Sequence, residues 1–386
     1  MSDILDFYST NSLSWEQLEF TDGELKNLHY GMIHVGLPTL LNLRESKLPT
    51  IKDGNEPKSY TLCINGDVAF ADASEDTNDV AKAIELVETD GQKVVFGLHT
   101  IHGRDNKGLT EAGFKGYLFS SRVFHDQIKR IAQGTKVFSI SNKNFSECFV
   151  GIPSKAEQSK IARLFSLLDK RIAVQSKLIE QLESLMGGIM VAHYNKCEKQ
   201  VVQIKELGDY FTVKSLSKDD LTDKGYACVL YGELFTTYHC IICEVKSKTN
   251  LTSGLTLSQS NDLLFPSSTT VDAVSLIAPS AITIPDVVLG GDMFGLHING
   301  RHSNVYLAFL FNYILKQRLA KYAQGSTIIH LHYKDIRNAK IEVPNLTDQL
   351  IFVELSSKVQ QKINTENSML ANLQALKSYL LQQMFI

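Results

Sequence analysis

The chain has no surplus of positive charge: 39 Lys and Arg face 42 Asp and Glu, for a formal net charge of −3 at pH 7. Without a basic footprint, any affinity for nucleic acid has to come from particular surfaces or from partners. Long apolar runs are lacking as well. No segment approaches the roughly 18 consecutive apolar residues of a membrane span, and the opening "MSDILDFYSTNS" has neither the basic nor the apolar region of a secretion signal. A cytoplasmic protein with no membrane partner is expected. Cysteine is scarce: six residues (Cys63, Cys148, Cys197, Cys228, Cys240, Cys243) lie scattered along the chain. That usage fits reduced thiols better than a disulfide framework.

Catalytic signatures are missing too. An amino-methyltransferase carries an Asn-Pro-Pro-Tyr type motif, and no Asn-Pro pair occurs here. A motor ATPase needs G-x-x-x-x-G-K-[ST], whose backbone N–H groups and lysine surround the phosphates. The glycines of "GGDMFG" (290–295) lack that spacing and read as a surface turn. Glu244-Val245-Lys246 looks like half of a nuclease carboxylate–lysine set, but Pro285-Asp286 lies on the wrong side of it. Cys240-Ile241-Ile242-Cys243 is a single C-x-x-C, whereas zinc needs four ligands. His239 or His297 could complete a site, yet buried strand cysteines are the simpler reading. No catalytic residue and no metal site is expected.

What the chain does contain is a repeat. At 386 residues it is too long for one ordinary core, and its 44% hydrophobic and 21% charged content is that of a globular protein. Setting "IPSKAEQSKIARLFSLLDKRI" over "VPNLTDQLIFVELSSKVQQKI" places Pro153, Gln158 and Ile172 on Pro344, Gln349 and Ile363, 191 residues on. The same offset superposes Ala132-Gln133-Gly134 on Ala323-Gln324-Gly325. Further back the offset drifts by a few residues, as loop insertions require. There "NGDVAF" (65–70) faces "SNDLLF" (260–265), and Asp6-Phe7-Tyr8 and Ser12-Leu13-Ser14 face Asp209-Tyr210-Phe211 and Ser215-Leu216-Ser217. One unit of about 190 residues is written twice.

Each unit begins with β-prone runs ("VVFGLHTIHG", "ACVLYGELF", "SAITIPDVVL") and one helical stretch ("SSRVFHDQIKRIAQ", "NVYLAFLFNYILKQRLAKYAQ"). It ends in a long amphipathic helix. Positions Ile161, Leu164, Leu168, Ile172, Gln175, Ile179 and Leu182 follow a three-four spacing, repeated by Phe352, Leu355, Val359, Ile363, Glu366, Leu370 and Leu373. Both stripes break at one equivalent polar residue, Gln175 and Glu366. The expected fold class is α+β: two similar strand-rich α+β heads separated by two long helices that pair antiparallel as a coiled coil, with a pseudo-two-fold relation.

A globular part ending in "AQG[ST]", then a strand, a proline, a Glu-Gln or Asp-Gln pair and a long helix, all repeated once, resembles the specificity subunit of type I restriction-modification enzymes. The resemblance covers the whole chain, and its specific elements are "GIPSKAEQSKIARLFSLLDKRI" and the two AQG turns. It implies target-recognition domains at 1–152 and 201–343 and conserved helices at 153–200 and 344–386. Each domain would read one half of an asymmetric bipartite double-stranded DNA target. The helices would set the spacing and dock two methyltransferase (modification) subunits, with restriction motor subunits joined through the complex. S-adenosylmethionine, ATP and Mg are then expected only on partner subunits. The second copy departs from the first, with Thr347-Asp348-Gln349 for Ala156-Glu157-Gln158 and "IFVEL" for "KIARL". A repeat-built scaffold without DNA recognition is the alternative class, and an autonomous enzyme a third.

Neither head is basic: Lys plus Arg against Asp plus Glu is 15 to 21 over 1–152 and 13 to 13 over 201–343. Weak DNA binding by the isolated chain is expected. The candidate readout loops are "HTIHGRDNKG" (99–108) and "HINGRHSN" (297–304), with Arg104 and Arg301 aligned within a residue or so. Lys107, Asn299 and His302 stand beside them, and the turns Gln133-Gly134-Thr135 and Gln324-Gly325-Ser326 complete the candidate set. Those turns also read as helix C-caps, a role compatible with DNA contact.

Overall fold

The structure, a computed structural model, describes residues 1–214, 216–251 and 254–385; Ser215 of the repeat match lies outside them. The chain divides into two compact units, Met1–Lys177 with Ser368–Ile386, and Leu178–Asn367. Both long helices, Lys155–Lys196 and Leu346–Gln383, are therefore shared between the units. No helix among the described residues is long and apolar enough to cross a membrane.

Each unit is built on the same five-stranded sheet. In the first the order is Asp6–Tyr8, Thr100–Arg104, Val68–Ala71, Ala83–Glu88, Leu40–Asn42. In the second it is Gly208–Thr212, Met293–Ile298, Asp262–Pro266, Ser280–Ile282, Ile241–Ile242. Both sheets are antiparallel apart from the last pair, which is parallel. A second four-stranded sheet again holds one parallel pair in each unit, Leu25–Leu28 with Lys93–Phe96, and Cys228–Leu230 with Val288–Gly290. The β-prone runs read from the sequence supply these strands, with one exception. After Leu230, "YGELF" turns into a short π-helical segment, Leu234–Tyr238. The helical stretches form too, as Arg122–Ile131 and, with a π-helical insertion, Asn304–Tyr322.

The long helices belong to the cores of the units. In the first unit Ala162, Phe165 and Phe385 are buried with Phe114, Tyr117 and Phe124 of the head; in the second, Met186, Met190 and Phe352 join Tyr306, Leu307 and Phe311. The pairing is antiparallel within the first unit, where Phe165 meets Phe385 at 6.0 Å and Asp169 meets Lys377 at 2.5 Å. Of the expected seam, Gln175, Ile179, Phe352, Ile363 and Glu366 are buried, and Ile161, Leu168, Ile172, Leu182, Val359, Leu370 and Leu373 half-buried. Leu164 and Leu355 are not part of it: they are 38% and 47% exposed. The reason is local. The first turns of each helix face their own head through Gln158, Ala162 and Phe165, or Gln349, Phe352 and Ser356, a track that passes beside positions 164 and 355.

Two buried glutamines fix the helix to the head. Gln158 accepts from the Glu111 N–H (2.8 Å) and donates to the carbonyls of Leu109 (3.0 Å) and Pro153 (2.9 Å). Gln349 accepts from the Ser303 N–H (2.8 Å) and donates to Pro344 O (2.8 Å) and His302 Nδ1 (3.1 Å). Both side chains are 0% exposed. The differing residues around them cap the helix alike: Ser154 with Glu157, Asn345 with Asp348.

Tyr117 and Tyr306, each buried in the core of its own unit, have different surroundings. Tyr117 donates to Asp169 (2.9 Å) and stacks on Phe165 at 5.0 Å. Tyr306 meets Phe352 edge-on at 5.4 Å, and its hydroxyl has no partner among the described residues. Tyr117→Phe should therefore cost about 1.5 kcal/mol in urea unfolding, as expected for a lost bond to a charged acceptor. Tyr306→Phe should stay within about 0.5 kcal/mol of the parent or stabilise it.

Candidate DNA interface

The strand Thr100–Arg104 carries the first group of candidate residues, and its pairing shows why Arg104 is rigid. Asp67 is fully buried at the start of the neighbouring strand. Its carboxylate accepts from Arg104 Nε and an Arg104 terminal nitrogen (both 2.7 Å), and from the Ile64 N–H (2.9 Å); His102 Nε2 lies 2.8 Å away. The guanidinium also lies 4.9 Å over the ring of Tyr8. Burial pushes the Asp67 carboxyl up, but Arg104 and His102 overcome this and hold it below the ordinary carboxylate value.

The second unit has the same frame with another cation. Asp262 accepts from the Gln259 N–H (2.8 Å) and from His297 Nδ1 (2.5 Å), and His297 stacks on Phe211 at 4.2 Å. Strand register makes the equivalence explicit: Asp6 faces Arg104, and Asp209 faces His297. The counterpart of Arg104 is thus His297, not Arg301. Arg301 stands exposed in the following turn, where its N–H bonds Asn299 Oδ1 (3.1 Å). Lys107, with its N–H on Asp105 Oδ1 (3.1 Å), occupies the matching turn of the first unit, and its Nζ reaches Asp3 O (2.9 Å). Arg104 and Arg301 therefore do not align within a residue: the loops differ in length by residues that only strand pairing can count. Burial pushes the Asp262 carboxyl above its ordinary value, against the pull of Gln259 and His297.

His302 does not reach the surface. It is buried, burial and then Arg301 lower its pKa, and its neutral Nδ1 accepts from Gln349. It belongs to the helix anchor. Asn299 likewise donates to Glu206 O (2.8 Å), which holds its loop in place.

The AQG turns share one pattern of backbone pairing and one glycine conformation. Gln133 exchanges two backbone bonds with Ser139 (2.9 and 2.8 Å), and Gln324 with His330 (2.9 and 2.7 Å). Gly134 and Gly325 have φ of 138° and 126°, and a Cβ there would stand 1.9 and 2.0 Å from the carbonyl oxygens of Val137 and Ile328. The glycines do not cap the helices: the caps are Ala132 and Ala323, in extended conformation, and each glycine lies two residues beyond. Gln133, Thr135, Gln324 and Ser326 are exposed.

The two groups of candidates are not brought together. The AQG turns abut the segments after Ala71 and Pro266, through Phe138 with Ser74 and His330 with Ser268. Arg104, Lys107, His297 and Arg301 lie at the other end of the same strands, whose four residue steps alone span roughly 13 Å.

Cys63, Asp67 and His102 have ligand atoms within 4.8 Å of one another, the arrangement of a possible metal site. Arg104 and His102 already occupy both Asp67 oxygens, and burial followed by the Asp67 charge pushes the Cys63 thiol well up, away from the thiolate a metal requires. The donor set suits the guanidinium.

Two copies of one α+β head, each sharing its core with parts of a long helix pair, define a tandem recognition module. The model of the type I restriction modification DNA specificity domain matches residues 91–184 and again 197–375. The chain belongs to this family, as a DNA-specificity subunit of a type I restriction-modification system and not one of its enzymes. Its fold is similar to that of a type I restriction-modification S subunit from M. genitalium, at 14% identity, over 100% of this chain and 94% of that one, with a TM-score of 0.55. It is also similar to a chain described under "Structural basis underlying complex assembly and conformational transition of the type I R-M system", at 15% identity, over 92% and 90%, with a TM-score of 0.54. No curated protein matches the sequence.

The two buried carboxylates predict opposite acid responses. Asp67, with its pKa held down in the fold, contributes stability that is present above the unfolded value of about 3.9 and lost as pH falls through the lower folded value. Asp262, with its pKa held up, carries a cost at neutral pH that is relieved as pH falls through the raised value. Asp67→Asn should lose about 3 kcal/mol at pH 7 and flatten the acid loss. Asp262→Asn should lose less at pH 7 and remove the relief. Urea midpoints between pH 7 and pH 3 measure both.

Proposed function

We propose that each head reads one half of an asymmetric bipartite target in double-stranded DNA, that the paired helices hold the half-sites apart, and that two methyltransferase subunits dock on those helices. The observation that carries this reading is the identity of the frames beside the difference of the loops. Sheet order, AQG turn and glutamine anchor recur, whereas Arg104 gives way to His297 and Lys107 to Arg301. Constant scaffold with variable contacts is how one fold serves two sequences. The helices leave apolar side chains exposed, among them Leu164, Leu167, Leu185, Ile351 and Leu355, an amphipathic face that suits partner helices. Domain limits at 1–152, 153–200, 201–343 and 344–386 describe the recognition and spacer parts.

Co-expression with an N6-adenine methyltransferase, followed by genome-wide mapping of methylated sites, tests this directly. Arg301→Ala should relax or weaken one half-site by about 1–3 kcal/mol and leave stability unchanged, since the side chain is exposed. For the other half Arg104→Lys is the better probe, because Arg104→Ala would strand the buried Asp67 charge. Unchanged motifs in both variants would remove these residues from the readout.

The spacer makes a separate prediction. Helices of 42 and 38 residues extend roughly 63 and 57 Å at 1.5 Å per residue. A four-residue insertion in one of them, about 6 Å and close to one turn, should lengthen the unspecified gap by one or two base pairs and preserve both half-sites. A fully active variant with the original gap would show that the helix is not the ruler.

A further inference from the structure

We infer that the sheet end carrying the AQG turn is the face each head lays on the DNA backbone, independently of base sequence; this rests on the specificity reading above. An exposed element kept in both heads, while the neighbouring contact residues change, suits a partner present at both half-sites. The phosphodiester backbone is such a partner and the bases are not. The turns meet this requirement in geometry. Both glycines hold a positive φ, both tips expose a hydroxyl residue, Thr135 or Ser326, and both end in a β-branched side chain left open to solvent, Val137 at 53% and Ile328 at 50%.

Charge agrees with the placement. The chain has more acidic than basic residues, yet residues 127–146 contain no Asp or Glu, and neither do residues 293–334. In the first head Lys129, Arg130, Lys136 and Lys143 are exposed around the turn and form no ion pair among the described residues. In the second, Lys321 and Lys334 are exposed around it, with His330 and His332. Glu75, Asp76 and Asp79 follow the strand that pairs with the first turn and offset part of its charge, whereas Asp272 is alone in that segment of the second head. The second head has fewer lysines around its turn and fewer acids opposing them, so both turns keep a surplus of positive charge. At the opposite sheet end of the first head, Asp3, Asp6 and Asp105 surround Lys107 and Asn106, which disfavours phosphate there.

The test uses the complex of the full chain with its methyltransferase and compares Lys321→Gln with Lys334→Gln, and Arg130→Gln with Lys136→Gln, as double variants. Each lost phosphate contact lowers the slope of log K against log salt by about 0.9, so each pair should flatten it by up to about 1.8. Binding should weaken equally on target and random DNA, and the methylated motif should not change. Unaltered slope and affinity in both variants overturn the inference. So does degeneracy confined to one half-site, which would make the turn a base reader, or loss of the methyltransferase with the slope intact, which would make it a subunit contact. A parent complex without sequence preference would instead sink the specificity reading itself.

Discussion

The fastening of each head to its helix by one buried amide is the constraint on which the rest of the architecture depends. Gln158 and Gln349 each join a loop of the head to the proline that precedes the helix. A buried amide is costly unless its groups are paired, so the geometry that satisfies it is strongly preferred over neighbouring ones. Proline contributes by fixing its own φ and leaving no N–H to satisfy, while its carbonyl receives the glutamine. The first turns of the helix are thereby held against the head, and the apolar track through Ala162 and Phe165, or Phe352 and Ser356, follows from that setting. A helix so fixed keeps a set direction relative to its own head, which a flexible linker would not.

Within the heads, conservation of frame and change of contact coexist because strand pairing fixes backbone positions and is indifferent to most side chains. Asp67 and Asp262 occupy one register position and accept a backbone N–H three residues earlier, from Ile64 and Gln259. What they hold differs: a guanidinium lying over Tyr8 in one head and an imidazole stacked on Phe211 in the other. The guanidinium is permanently charged and brings the Asp67 carboxyl down, whereas in the second head burial dominates over the bond to His297. Two chemically distinct surfaces result from one scaffold.

Much of this was legible in the chain. The 191-residue offset through Pro153, Gln158 and Gly134 established two units, and the three-four spacing established the helices, because buried stripes and glycine turns leave local marks. The glutamines were visible as a repeat, but their role was not, since their partners, Glu111 and Ser303, lie 47 and 46 residues away. Leu164 and Leu355 belong to the stripe by spacing but not to the seam by contact, for a related reason: periodicity identifies an apolar stripe but not which neighbour it faces. Arg104 and Arg301 stand in similarly placed loops of the two copies, a likeness that is local only. Only the pairing of Asp6 with Arg104 and Asp209 with His297 distinguishes the two.

The sequence by itself determined the duplication, the α+β heads, the long helices and the family, all of which are written in patterns of a few to a few dozen neighbouring residues. Tertiary structure decided which residues reach solvent. It withdrew His302 into the helix anchor, clamped Arg104 on Asp67 and put the AQG turns at the sheet end opposite to them. Such placements arise from contacts between strands far apart in the chain, and burial, which decides whether a charge is spent internally or offered to DNA, is a property of those contacts alone.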